Sequence, residues 1–395
     1  MSRSLLLVAM TAMAVVADTM LVPFYPVFFE RVFDVTSATH VGAYIAACCF
    51  TVMLGFPLWA WVARRYPVLK LLVVTQLAAA VFSALCYLAG SLWLFWLLSL
   101  IMIAFKGSYL LIYPLLMGEV HELRRSQTIG LLLVVVHAGT LLGATLGGAV
   151  LQYLEPRQVF LVMAAGDLLQ TALCLYLIAR HPAPAATAEK SPDSRARPLP
   201  WGFIGRLGLI MWLFYFAVFL IRPFFVPYWH WVSGLESELI AGLVFALPGV
   251  VALVFFTTDY WRRHAPDPQR LIAPALIVCL TGALLQGSGN TLVVLFGRVL
   301  AGWGLFRANV LLDQLLYQVS HPASFALDFS RISIFQNLGV LAASFTAGAL
   351  VDRVGMSSPF ALAAAAFVLA WLLYKGGFAR APQPTQEPAT GSHRA

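Results

Sequence analysis

Residues 13–31 read MAVVADTMLVPFYPVFFER, an apolar run that carries Asp18 and is interrupted by Pro23 and Pro26. Two hundred residues later, residues 216–231 read FAVFLIRPFFVPYWHW, with Arg222 directly before Pro223 and Pro227 shortly after. Both stretches are apolar enough for membrane helices, and proline, which removes a backbone donor, loosens each near one end. One holds an acid and the other a base. An ionisable side chain at membrane depth costs about 2.5–3.5 kcal/mol to insert, so each is a functional candidate by default. The pair predicts two helices that face a shared central path, and hence a transporter.

The composition agrees. Sixty-one per cent of the chain is hydrophobic, 11% is charged and the mean hydropathy is +0.84. A soluble domain carries about 25% charged residues, so an ordinary soluble fold is excluded. The net charge of +8 would suggest nucleic acid only if the bases clustered on one soluble face. Cys48, Cys49, Cys86, Cys174 and Cys279 lie in apolar segments without pairing or metal-ligand spacing, and read as packing residues. The first apolar run follows only Arg3 and reaches spanning length, so it reads as the first helix rather than a cleaved signal.

Twelve spans are expected, near residues 5–29, 39–62, 69–90, 92–118, 127–153, 158–180, 206–231, 238–259, 270–289, 291–318, 328–351 and 358–378. Residues 181–200 (HPAPAATAEKSPDSRARPLP) are rich in Pro and Ala and charged, as a flexible linker would be. The fold class predicted is an all-α membrane protein, with 12 transmembrane helices in two pseudo-symmetric six-helix bundles. Its expected parts are an N-terminal bundle over 1–180, a cytoplasmic linker over 181–205, a C-terminal bundle over 206–378 and a disordered cytoplasmic tail over 379–395. With the N-terminus in the cytoplasm, 17 of the 25 Lys and Arg residues fall on the cytoplasmic side, three on the other and five inside spans. That asymmetry places both termini in the cytoplasm. The halves also repeat at an offset close to 200. Pro23-Phe24 matches Pro223-Phe224, Trp61 matches Trp261, and Gly139, Gly148 and Phe160 match Gly339, Gly348 and Phe360. A parallel duplication puts the path between the halves.

Three stretches carry a family resemblance. Residues 139–148, GTLLGATLGG, are similar to the antiporter motif GxxxGPxxGG, with Ala144 in the proline position. Residues 298–304, RVLAGWG, are similar to RxxxGxG, which the family usually shows in helix 4, where this chain has Ser99 in the arginine position. Residues 57–67, PLWAWVARRYP, follow the loop pattern PxxGxLxDRxG loosely, with Ala60, Arg64 and Pro67 replacing the first glycine, the aspartate and the second glycine. On these grounds the chain resembles the major facilitator superfamily over essentially its whole length, closest in motifs to proton-antiporter exporters. The resemblance implies that Gly139, Gly143, Gly147 and Gly148 let helices approach and bend as access alternates. It also implies a gating loop at Arg64 and Arg65, with Asp259 of the second half as a partial substitute for the missing aspartate. The stretch GALVDRVG at 348–355 looks like the same loop pattern but falls on the opposite side, and is read as chance.

Asp18 is the candidate for proton coupling, since burial favours the neutral form of a carboxyl and lets it load and release a proton. Its alternative is a structural ion pair. Lys106, Arg222, Arg298 and Arg307 are bases at mid-depth, with Arg331 a fifth inside a span. The plausible buried acids are Asp18, Asp167, Asp313, Glu119 and Asp328. Unbalanced positive charge predicts an anionic cargo gripped by arginine, with Tyr25 and Tyr113 as further substrate-binding candidates. The alternative is neutralisation at home, as between Asp328 and Arg331 three residues apart. Asp167 and His137 read as isolated local residues. No GxSxG, HExxH, Walker A or CxxC pattern occurs, so neither an enzyme, a metal site nor a cofactor is expected. The reading is a proton-coupled, monomeric exporter in a bacterial cytoplasmic membrane, carrying a small anionic metabolite such as a carboxylate-type siderophore. Its alternatives are a multidrug or sugar efflux pump and an organic-anion importer. A scaffold without transport activity is the rival from another class.

Overall fold

The computed structural model describes residues 3–119, 122–180, 199–260, 268–320 and 324–378. The expected linker, apart from residues 199–205, and the expected tail over 379–395 lie outside the described residues. Among the described residues there is no strand, and twelve helices are long and apolar enough to span a membrane. The first bundle holds α1 (Arg3–Phe33), α2 (Ala38–Val62), α3 (Val68–Leu88), α4 (Leu92–Leu111), α5 (Val134–Tyr153) and α6 (Pro156–Arg180). The second holds α7 (Trp201–Ser233), α8 (Glu238–Phe255), α9 (Gln269–Gln286), α10 (Thr291–Leu316), α11 (Leu327–Val354) and α12 (Ser358–Gly377). Among the described residues the even number of spans puts Arg3 and Phe378 on one face. The start of α7 at Trp201 lies inside the segment expected as linker. A helix is continued by its own hydrogen bonds and does not stop where apolarity ends.

The predicted breaks are present. A tight 3-10 turn over Val22–Phe24 interrupts α1, and the same turn over Arg222–Phe224 interrupts α7. The repeat continues past both breaks. Asp34 and Gly234 end the two helices in the left-handed conformation, at φ 55° and 67°, and their N–H groups turn back to the carbonyls of Glu30 and His230. Such a residue satisfies a carbonyl that the helix end would otherwise orphan. Ser37 and Ser237 then cap the next helices, their hydroxyls accepting from the N–H groups of His40 and Ile240.

Aromatic side chains fill the first bundle. Phe28 lies 5.2 Å from Phe95 and 5.5 Å from Phe160, centroid to centroid, which ties α1 to α4 and α6. Tyr228 does the same in the second, lying 4.5 Å from Phe360 and donating to the Gln286 carbonyl at 2.6 Å. The small residues of α5 face two ways. A Cβ at Gly147 would lie 1.9 Å from the Met20 carbonyl oxygen of α1, and one at Gly148 would lie 2.5 Å from the Glu238 carbonyl oxygen of α8. Gly139 and Gly143 also abut α1. Only residues without a side chain let backbones approach so closely.

The bundles are clasped together at the end opposite the termini. Asp352, at the end of α11, accepts from the backbone N–H groups of Ala38 at 2.9 Å and Thr39 at 2.7 Å, and from the Ser37 hydroxyl at 3.1 Å. A carboxylate on a helix N-terminus is favoured by the helix dipole as well as by these bonds. Gln152, at the equivalent place on α5, accepts from the Ser237 hydroxyl at 2.8 Å and the Leu239 N–H at 3.0 Å. Arg31 adds a third tie, bonding the Glu238 carboxylate and the Leu151 carbonyl. The stretch around Asp352, read from sequence as a chance match, therefore has a structural role. Replacing both Asp352 and Gln152 by alanine should release this end. Nitroxide labels at the exposed positions Leu154 and Leu235 should then report a new longer-distance population in pulsed electron resonance, whereas an unchanged distribution would show that these two side chains do not hold the end shut.

Candidate functional site

Two groups of charged side chains stand at membrane depth, one inside the first bundle and one on the face of the second that meets the first. In the first, α1, α4 and α6 bring together Asp18, Lys106 and Asp167. Lys106 Nζ lies 2.9 Å from Asp167 Oδ1 and 3.6 Å from Asp18 Oδ1. The Ser83 hydroxyl donates to the other Asp167 oxygen at 3.3 Å. Lys106 and Asp167 are buried, while the Asp18 side chain keeps 30% of its surface. Asp167, expected to be isolated, is thus the closest partner of Lys106. The chain makes the site possible at two breaks: Asp18 sits just before the proline turn of α1, and Lys106 just before the 3-10 turn over Gly107–Leu111. Two acids and one base leave the group one negative charge in excess when all are ionised.

The second group lines a cavity of about 300 Å³ walled by α5, α7, α8, α9 and α10, with Phe367 of α12. Arg222 reaches into it from the break of α7. Its guanidinium lies 5.0 Å from the Phe219 ring centroid and 6.0 Å from that of Phe245, both cation–π distances. Among the described residues it has no ion-pair or hydrogen-bonding partner, and no Asp or Glu lines the cavity. Arg298 also lines it but is engaged. Its Nε donates to the Val244 carbonyl at 3.3 Å, one terminal nitrogen to the Phe245 carbonyl at 2.6 Å and the other to Gln286 Oε1 at 3.2 Å, with the Phe225 ring 3.8 Å beneath it. The cause is Pro248 inside α8, which cannot donate to the carbonyl four residues back, that of Val244. Gly302 brings α10 against the same point, where a Cβ would lie 2.7 Å from Pro248 Cα. The RVLAGWG stretch thus braces a kink.

The other predicted site residues are scattered. Arg307 is half-buried on α10 and does not line the cavity. Tyr25 packs edge-on against Tyr44 at 5.1 Å, and Tyr113 is exposed. Arg64 and Arg65 are exposed, with the Arg65 guanidinium 4.9 Å over Trp61. The Asp259 side chain lies outside the described residues, as does that of Glu119. Arg331 is neutralised at home, 3.8 Å from Asp328, as the spacing suggested. His137 lines the cavity, as do Tyr215 and Asn309, whose side chains are bonded at 3.1 Å. The last two were not anticipated, because helical position alone does not separate cavity aromatics from lipid-facing ones.

With this geometry in place, comparison with known proteins is decisive on family. The model for the Major Facilitator Superfamily matches residues 7–288, more than two thirds of the chain. The chain belongs to that superfamily. Among curated relatives, a probable sugar efflux transporter of Helicobacter pylori is 25% identical over 334 residues, 82% of each chain. The multi-drug resistance efflux pump PmrA of Streptococcus pneumoniae is 22% identical over 350 residues, 87% of each. Among solved structures, a mutant of the nucleoside transporter NupG superposes with a TM-score of 0.73 at 12% identity, over 95% of this chain and 100% of that one. A bacterial homologue of the human lysosomal transporter Spinster, in an inward-facing and occupied conformation, gives 0.72 at 15% identity, over 94% and 95%. These structures share the fold of this multi-pass membrane transporter.

Removing one member of a buried ion pair costs about 3–5 kcal/mol because the other charge is left unpaired. Lys106→Met should therefore lower the thermal unfolding midpoint of the solubilised protein strongly, and adding Asp167→Asn should recover most of the loss. A double variant no more stable than the single would show that the pairing does not hold α4 to α6.

Proposed function

We propose that this transporter is a proton-driven exporter of small organic anions, working as a monomer in a bacterial cytoplasmic membrane with both termini in the cytoplasm. The observation that carries the reading is the separation of charge: an acid-rich triad inside the first bundle, and a cavity lined by no Asp or Glu, with two guanidiniums contributed by the second bundle. A proton on Asp18, the member of the triad with open surface, would cancel its excess charge. An anion in the cavity would give Arg222 the partner it lacks. Each ligand thus removes a charge whose burial opposes rearrangement of the bundles, which is how binding shifts an equilibrium between two states. The clasp shuts the end opposite the termini, so the cavity is poised to load from the cytoplasmic side. Export is further supported by the two efflux relatives.

The expectation of a citrate-type siderophore relied on four bases acting together. Lys106 is committed to two carboxylates and Arg298 to three neutral acceptors, so the wider class of organic anions is the reading kept. The aromatic rings on the cavity wall favour, as a second reading, efflux of uncharged drugs or sugars like those named for the relatives.

Small molecules inside cells and in spent medium, profiled by mass spectrometry with and without the gene, separate these readings. An anion that accumulates inside and vanishes outside, restored by the wild type but not by Asp18→Asn, is the expected result. Extracellular anions left unconsumed would mean import, and a change confined to neutral compounds would favour the second reading. For an exported anion, Arg222→Gln should raise the apparent KM about tenfold or more, since charge-assisted hydrogen bonds contribute about 1.5–3 kcal/mol.

A further inference from the structure

We infer that the cargo carries a single anionic group on a flat apolar body, with Arg222 holding the charge and the rings of Phe219 and Phe245 holding the body. This deepens the reading above and rests on it for the direction of transport, though not for binding.

Of the five bases that the sequence places away from the span ends, the geometry accounts for four. Lys106 is held by Asp18 and Asp167. Arg331 is held by Asp328 and the Leu199 carbonyl and lies 4.6 Å over Trp201. Arg307 is off the cavity wall. Arg298 lines the cavity and its charge favours an anion there, but its Nε and both terminal nitrogens donate to acceptors already in place, and one of its faces is covered by Phe225. Arg222 is the base left with its donors unengaged among the described residues. One planar guanidinium pairs with one carboxylate, sulfonate or phosphate-type group through two parallel hydrogen bonds. A second or third carboxylate on the same cargo would meet no further arginine or lysine with free donors, and the His137 imidazole on the wall, packed against Phe306, offers at most a ring N–H without a fixed charge; burying an unpaired carboxylate is costly.

The remaining wall decides the body. Phe219 and Phe245 approach the same guanidinium that would hold the anion, and Phe214 and Phe306 also line the space. An anionic group attached directly to a ring system can meet Arg222 at its edge while the rings lie against these faces. Of the polar groups beside them, Tyr215, Asn309, Gln286 and Thr140 could add a hydroxyl or amide contact but no charge, and His137 is the titratable imidazole on this wall. The volume of about 300 Å³ is at the small end for ligand pockets and suits one or two fused rings rather than an extended polycarboxylate.

Binding to the full-length protein in lipid nanodiscs, measured by titration calorimetry, tests this without requiring transport. The probes are 2-naphthoate, its neutral isostere 2-naphthamide, and citrate. Naphthoate should bind saturably, naphthamide at least tenfold more weakly, and citrate should not displace naphthoate. Arg222→Gln should erase the difference between acid and amide, Arg222→Lys should restore part of it, and Phe219→Ala should weaken both ring compounds. Citrate binding as tightly as naphthoate would overturn the inference, as would equal binding of acid and amide to the wild type. So would the absence of saturable naphthoate binding to protein that keeps its unfolding transition. If naphthoate binds as expected but imposed pH gradients drive no flux of it in proteoliposomes, the exporter reading fails while the assignment of the site stands.

Discussion

Charge inside a bilayer must be matched, and that constraint organises this molecule. Lipid offers no hydrogen bonds, so an ionised side chain there needs a protein partner or a ligand. Most of the intramembrane charge is matched locally. Lys106 bridges three helices of one bundle through two carboxylates, Asp328 gathers Ser320, Ser324, Arg331 and the Leu199 N–H, and Arg298 takes the carbonyl that Pro248 leaves free. The exceptions are then informative. Among the described residues Arg222 meets aromatic faces and no carboxylate, Asp313 on α10 keeps a buried carboxyl oxygen without a hydrogen-bond partner, and the triad holds one acid more than its base can balance. The proposed cycle, in which proton and anion alternately fill the deficits at Asp18 and Arg222, rests on this arrangement.

The duplicated halves show where shared architecture ends and individual function begins. Positions 200 apart do the same structural work: Pro23 and Pro223 break their helices, Asp34 and Gly234 end them, Ser37 and Ser237 start the next, and Gln152 and Asp352 clasp the opposite bundle. The charged residues of the proposed cycle fall where that correspondence fails. Asp18 faces Val218 across the repeat, Val22 faces Arg222, and Asp167 faces Phe367. Symmetry supplies two bundles of like build, and broken symmetry gives them different buried charges.

Much of this was legible in the chain itself. Apolar runs of spanning length and prolines inside them depend on local sequence, so the twelve helices and both breaks could be read directly. The glycines of the fifth span could be read too, because close helix contact admits little else. Pairing could not. Lys106 and Asp167 are 61 residues apart, and only the packing of α4 against α6 shows that they meet. Sequence alone therefore groups Lys106 with the arginines and leaves Asp167 isolated. Arg298 carries a recognisable motif, yet its engagement depends on a proline in another helix. The clasp left a trace at positions 152 and 352, but Gln and Asp are not identical, and the match by type was not visible as a match by role.

The central claim is that Asp18 couples protons to the movement of an anion. The most direct measurement is proton flux in proteoliposomes loaded with a pH-sensitive dye, recorded as an anion bound by the purified protein is added on one side. The account predicts anion-dependent proton movement with the wild type and none with Asp18→Asn, while that variant still exchanges labelled anion across the membrane without a gradient. Proton movement undiminished in Asp18→Asn would contradict it.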